Sequence, residues 1–229
     1  VFNRLCDPES KLGVLRWVQT VALPGVMAES IDHQHLLRAM DALVEHREEV
    51  EQVLAGLLRP LVDQDLAVVF YDMTTIRTEG LSNQVDDVRH FGMSKEGLIA
   101  RQVMLGVVQT ADGLPLYHEV FDGNTAEVST LKPVLAKIVE RFPHVRRLIV
   151  VADRGLLSLD NLEELGKIRL PNSSSAQALE FILAVPGRRY SEFTDVLQAI
   201  QARASTAQQE IIEEARWQGL RLVVAHHPQ

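Results

Sequence analysis

The sequence holds a single cysteine, Cys6, among its 229 residues. One thiol closes no internal disulfide and builds neither a metal finger nor a stapled secreted scaffold, so the expectation is an intracellular chain. Long apolar runs are missing as well: no stretch approaches the roughly 18 uninterrupted apolar residues that cross a bilayer. A soluble protein with no membrane partner is expected. Basic charge is in short supply, with 23 Lys+Arg against 31 Asp+Glu and a net charge of −8, which argues against a polycationic nucleic-acid coat. What is present is enough for a folded domain or two. Hydrophobic residues make up 46% and charged residues 24%, a balance that excludes a mainly disordered or collagen-like chain.

Both ends suggest a fragment of a longer protein. Position 1 is Val, and Val1-Phe2-Asn3-Arg4 has none of the parts of a signal peptide. At the other end the apolar run Leu220, Leu222, Val223, Val224, Ala225 stops at His226-His227-Pro228-Gln229 with nothing after it to cover it.

Charge divides the chain into three blocks, 1–65, 66–170 and 171–229, with net charges of −5, −2 and −1. The first block carries 6 basic and 11 acidic residues and therefore most of the acidity. Within it, Leu36, Leu37, Met40, Leu43 and Val44, then Val50, Val53, Leu54, Leu57 and Leu58, recur at helical spacing, with Asp32 as N-cap and Pro60 as limit. From Leu66 the period changes. Leu66 to Tyr71 is an apolar, β-rich run that ends at Asp72, as a buried central strand would. Leu98 to Thr110 and Leu114 to Phe121 flank Ala111-Asp112-Gly113 and read as an antiparallel hairpin. A helix fits Glu127 to Phe142. Leu148 to Ala152 is a second apolar strand, ending at Asp153, and Phe181 to Val185 is a third. Residues 192–216 read as an exposed helix before a last strand.

Two apolar strands thus end in aspartate, at Asp72 and Asp153. Strand C-termini are where open α/β sheets gather ligand chemistry. Two carboxylates brought together there repel unless a cation lies between them, and a hard ion such as Mg²⁺ takes oxygen ligands while keeping waters for a phosphate. Two such ions about 3.5–4 Å apart would activate a water or 3′-hydroxyl for in-line phosphoryl displacement. Aspartate after a strand is also a common turn former or helix cap, and spacing alone does not choose between the readings.

Several segments resemble the DDE transposases of bacterial insertion sequences, of the insertion-sequence-four-like type. They are Tyr71-Asp72-Met73-Thr74-Thr75, His90 to Gly97, Asp112-Gly113-Leu114-Pro115-Leu116, Phe121-Asp122-Gly123-Asn124-Thr125-Ala126-Glu127 and Val151 to Ser158. The opening Asn3-Arg4-Leu5-Cys6-Asp7-Pro8-Glu9-Ser10-Lys11 with Trp17 is similar to that family's N-terminal region, so the likeness runs from near residue 1 to Gln229. The resemblance implies an α/β, ribonuclease-H-like mixed sheet with flanking helices as catalytic core (66–185), preceded by a helical region (1–65) and followed by the incomplete start of an insertion (186–229). It also implies a metal-dependent enzyme, using Mg²⁺ or Mn²⁺, that cleaves element ends and joins the freed 3′-hydroxyl to target DNA. Asp72 and Asp153 match the first two acids of the catalytic triad. The third is a glutamate on a later helix, and here the chain ends first. Double-stranded DNA is the implied partner, with a homodimer allowed, in the bacterial cytoplasm at the nucleoid.

Smaller assignments accompany these. Lys95, Arg101 and Arg154 are candidates for phosphate contact, with plain surface solvation the bland alternative. Glu192, Glu210, Glu213 and Glu214 read as a solvated helix face, not as metal ligands. Cys6 reads as a small buried residue, and the scattered histidines indicate no zinc site. Two other functions stay open at this stage. One is a non-catalytic remnant that only occupies DNA or self-associates. The other is a haloacid-dehalogenase-like phosphatase, disfavoured because Thr74 stands where its chemistry needs a second aspartate.

Overall fold

The computed structural model describes residues 1–62, 67–79, 86–93, 97–156, 162–163, 165–171, 179–204 and 209–226. The chain divides into two compact units, Val1–Pro60 and Leu61–Gln229.

The first unit is helical: α1 (Phe2–Cys6), α2 (Lys11–Trp17), α3 (His33–Glu45) and α4 (Arg47–Leu58). Ser10 caps α2 by accepting from the Gly13 amide at 3.1 Å. Asp32 caps α3 as expected, accepting from the His35 amide at 2.9 Å while its own amide donates to His35 Nδ1 at 3.2 Å. The helical stretch is interrupted at His46, whose backbone leaves helical geometry and separates its two parts. The apolar stripe of α3 and α4 does not close a core, since Met40, Leu43, Val44, Val53 and Leu57 are exposed. Cys6 is exposed too, a correction to its expected burial: in the short α1 it is Asn3 that turns inward, its side-chain amide donating to the Asp7 carbonyl at 2.7 Å.

The second unit is built on a mixed sheet. Its strands among the described residues are β1 (Ala67–Arg77), β2 (His90–Met93), β3 (Ile99–Thr110), β4 (Pro115–Asp122), β5 (Leu148–Ala152) and β6 (Glu180–Leu183). The order is β2-β3-β1-β5-β6, with β4 also pairing β3. β1 and β3 are antiparallel, as are β3 and β4. The chain then crosses over through α5 (Leu131–Arg141) and returns as β5, parallel to β1, with β6 parallel to β5. Three antiparallel strands followed by parallel returns beside the first give the ribonuclease-H-like α/β fold.

The reason for α5 lies in its sequence. Leu131, Val134, Leu135 and Ile138 recur at helical spacing and are buried, while Pro133 falls in the first turn, where a missing amide costs nothing. The helix begins at Leu131 and not at Glu127, because Glu127–Ser129 forms a 3-10 turn first. β1 alternates strictly: Ala67, Val69, Tyr71 and Met73 are buried, while Phe70, Asp72 and Thr74 are exposed. It also runs five residues past Asp72, so the strand does not end at the aspartate as the apolar run suggested. Thr74, Thr75 and Ile76 are β-branched and pair with Leu105, Met104 and Val103, which extends the strand without needing burial on both faces.

The final segment differs most from expectation. α6 (Thr194–Ala204) is helical, but Ile211–Trp217 forms β7 and pairs antiparallel with β8 (Leu220–His226). Ile211, Glu213, Ala215 and Trp217 alternate with more exposed residues, a strand period that the local density of glutamate disguised. Gln218 (φ 48°) and Gly219 (φ 82°) make the two-residue connection of positive φ that such a hairpin favours.

Beneath the sheet, Tyr71 is 1% exposed and its hydroxyl donates to Thr130 Oγ1 at 2.7 Å. The Thr130 hydroxyl in turn donates to the Glu127 carbonyl at 2.7 Å. Burial pushes the Tyr71 phenol up to about 12, with the nearby Glu127, Glu119 and Asp72 charges adding to the rise. A folded-state value above the unfolded one means that the folded protein keeps this proton longer. Stability is therefore full below about pH 10 and is lost as pH rises through about 12, a loss of order 2 kcal/mol. Denaturant titrations between pH 9 and 12 are expected to show a steeper decline for the wild type than for Tyr71→Phe.

Candidate metal centre

β1 and β5 bring the two predicted acids together. Their parallel register pairs Tyr71 with Ala152, so one step further along each strand stand Asp72 and Asp153. Adjacent strands lie about 4.8 Å apart, a separation from which two carboxylates can share a cation. The alternation that buries Tyr71 and Met73 turns Asp72 to the opposite face. β5 stops at Ala152, leaving Asp153 exposed at its C-terminal end. Beyond that point β1 continues with β3 on its other side only, which opens a crevice at the strand end.

Each carboxylate is oriented by the next amide in the chain. The Met73 amide donates to Asp72 Oδ1 at 2.8 Å and the Arg154 amide to Asp153 Oδ1 at 2.6 Å. Two exposed hard-oxygen donors on adjacent strands fit Mg²⁺ or Mn²⁺ in chemistry, with waters or phosphate oxygens completing the shell. Among the described residues no group of three or more His, Cys, Asp or Glu gathers as a metal site.

The late glutamates are engaged elsewhere. Glu192 pairs with Arg189, Glu213 with Arg203 and Glu214 with Arg221, and each arginine holds its partner's carboxyl below the usual range. Glu213 and Glu214 lie on β7 and not on a helix, which corrects the reading of a helical face.

The basic candidates fall in three different settings. Arg154 is exposed in the 3-10 turn that follows Asp153 and lines a cleft of about 910 Å³. Phe181, Ile182, Tyr190, Trp217 and Val224 line it as well, so β5, β6 and the β7–β8 hairpin all border this space. Arg101 lies on β3 and is only 11% exposed; its guanidinium donates to Asp87 Oδ2 at 2.6 Å and to the Arg89 carbonyl at 3.3 Å. Lys95 lies outside the described residues.

No protein-family model matches the chain, and no curated protein does. Solved complexes of Mos1 transposase are similar. A paired-end complex with the left transposon end is 14% identical over 89% of this chain, with a TM-score of 0.32. A Mos1 mariner paired-end complex with Mn is 13% identical over 83%, with a TM-score of 0.26. The chain spans 62% and 64% of their lengths.

Sequence reasoning missed two polar groups anchored on β3, away from the acid pair. Gln102 is 2% exposed, and its Nε2 donates to the Gly123 carbonyl at 2.9 Å, anchoring the segment Asp122–Ala126 that leads to Glu127. The Arg89–Asp87–Arg101 cluster was the other, and the sequence signal for it was only a charged pair, Asp87 and Arg89, two residues apart just before β2. Arg89, foremost, and Arg101 hold the Asp87 carboxyl far below the usual carboxylate range. A depressed folded-state value contributes stability that is present above the unfolded pKa of about 3.9 and fades as pH falls below it. Asp87→Asn lacks this contribution. Acid denaturation followed by circular dichroism is expected to show a shallower loss below pH 4 for Asp87→Asn than for the wild type.

Proposed function

We propose that this chain is part of a metal-dependent DDE transposase of an insertion sequence, acting on double-stranded DNA in the bacterial cytoplasm. The observation that carries the reading is the register of β1 and β5, which makes Asp72 and Asp153 neighbours on an exposed strand end. The motif resemblance from Asn3 to Ser158 supports it independently. Asp72 and Asp153 would hold Mg²⁺ or Mn²⁺, which when bound supplies charge neutralisation for attacking and leaving oxygens in phosphoryl displacement. Asp72, on the continuing strand, fixes one edge of the site. Asp153, at the strand terminus, fixes the other and leaves the crevice open to a DNA strand. Arg154, one residue on, meets phosphate at the mouth of the cleft, whose aromatic lining suits unpaired bases. Lys95 and Arg101 belong to the same proposal as phosphate contacts. For Arg101 the existing pair with Asp87 has to loosen first. A homodimer that holds two element ends fits the same reading.

A second reading is favoured by one observation. Glu192, Glu213 and Glu214 are held by arginines, and two candidate metal ligands are fewer than the triad chemistry uses. In that reading the 229-residue chain binds DNA or itself without cutting.

Calorimetric titration with Mn²⁺ tests the centre. Binding in the wild type that weakens at least tenfold in both Asp72→Ala and Asp153→Ala is the expected result; equal affinity in all three proteins would remove the proposal. Strand cleavage of element-end DNA by the 229-residue chain separates the two readings, since a non-catalytic remnant leaves the DNA intact. Arg154→Ala should weaken DNA binding to a similar degree across sequences and reduce its salt dependence, read by fluorescence anisotropy at several salt concentrations.

A further inference from the structure

We propose that Glu127 is a positioning residue for Asp153, a role that rests on the metal-centre reading above. Glu127 opens the 3-10 turn ahead of α5, and its half-buried side chain reaches across to Gly155, two residues after Asp153. The contact is so close that a Cβ at position 155 would overlap Glu127 Oε2 outright, and the next nearest atom, Glu127 Cδ, would lie at 3.2 Å. A side chain at position 155 therefore displaces the Glu127 carboxylate, the far end of a flexible side chain.

The two partners of this contact are anchored on opposite sides. On the Gly155 side the turn Arg154–Leu156 is closed by the Leu156 amide donating to the Asp153 carbonyl at 3.1 Å. The Glu127 carboxylate thus lies against the backbone from which the Asp153 side chain leaves. On the Glu127 side the carbonyl accepts from both the Thr130 amide, at 3.0 Å, and the Thr130 hydroxyl, at 2.7 Å. Thr130 Oγ1 accepts from the Tyr71 hydroxyl at 2.7 Å, and Tyr71 immediately precedes Asp72 on β1. The segment leading into Glu127 is held as well, by the Gly123 amide on the Val88 carbonyl at 3.0 Å and by Gln102 on the Gly123 carbonyl at 2.9 Å.

Strand β1, Thr130, Glu127 and Gly155 therefore form one mechanical path that links the backbones of the two acids from the core side. β5 ends at Ala152, so the sheet gives Asp153 no ladder of its own. The Glu127 contact is the support proposed in its place. Groups outside the ligand set that hold a ligand in place commonly account for 10–100-fold in metal affinity, which sets the size of the expected effect.

The test uses the full 229-residue chain and Mn²⁺ alone, with amide hydrogen exchange measured in the absence of metal. In Glu127→Ala the Leu156 amide should exchange at least tenfold faster, with Mn²⁺ affinity down about tenfold and the cooperative unfolding transition retained. Glu127→Gln, which keeps the shape, should restore both to within about threefold. Gly155→Ala forces Glu127 aside and should reproduce the loss. Where that variant is too unstable to handle, Gly155→Ala combined with Glu127→Ala removes the overlap and should fold, yet still bind Mn²⁺ weakly. Wild-type exchange at Leu156 in Glu127→Ala, or wild-type Mn²⁺ affinity in the folded double variant, overturns the positioning role. Unchanged Mn²⁺ binding in Asp72→Ala and Asp153→Ala overturns instead the metal centre, and with it any role for Glu127 toward metal. The metal-free exchange measurement keeps the two failures apart.

Discussion

Parallel pairing of β1 with β5 is the constraint on which the rest of the second unit depends. The two strands are far apart in the chain, so their pairing has to offset a large loop-closure entropy before it gains any ladder hydrogen bonds. The crossover supplies the return. Leu131, Val134, Leu135 and Ile138 of α5 are buried, together with the sheet residues Val69, Val108 and Val150. A slip of one residue in the register would turn Asp72 into this core and Tyr71 out to water. The burial of Tyr71 and the exposure of Asp72 are thus two results of a single register, and the same apolar packing that stabilises the sheet aims the carboxylate.

The support of the acid pair comes from below. A phenol in a core is tolerable only with a hydrogen-bond partner, and Thr130 provides one without leaving its place at the start of α5. Because Thr130 also binds the Glu127 carbonyl, the polar links run from the central strand to the helix start and on to the turn after Asp153. Each link is local and ordinary. Their sum ties the middle of β1 to the end of β5, where the ladder between these two strands stops one residue short of the acids.

The sheet was legible in the sequence because its signals are local. The runs Ala67–Tyr71 and Leu148–Ala152 are continuous and apolar, and Asp112-Gly113 marks the β3–β4 turn between two β-rich segments. The two aspartates stand out for the same reason, since each follows such a run, but their reading as metal ligands rests on the motif resemblance and not on the runs. Other features depend on contacts that no local pattern encodes. The extension of β1 to Arg77 follows from pairing with β3, and Glu127 acquires its setting from Gly155, 28 residues away. Residues 211–217 show the opposite failure. Glu213, Glu214 and Ala215 have good helix propensity, yet cross-strand partners such as Val224, Val223 and Leu222 set them in a strand, where tertiary context outweighs propensity.

The net charge of −8 argued against a basic coat, but a sum over the chain weighs every group equally, and water and salt do not. Exposed charges are screened within about 10 Å, so only the groups bordering a site decide what approaches it. Several acids of the second unit are matched locally: Glu180 by Arg147, Glu192 by Arg189, Glu213 by Arg203, Glu214 by Arg221 and Asp87 by Arg89 and Arg101. Near the strand end the charges are Asp72, Asp153, the neighbouring Arg154 and Glu127, whose carboxylate lies against Gly155. A divalent cation held by the two aspartates would bring that local sum to about zero. An anionic phosphate then meets a neutralised mouth on a protein that is acidic overall. Under the proposed function the acidic composition follows from this arrangement, because the cation and not the polypeptide supplies the positive charge at the point of reaction.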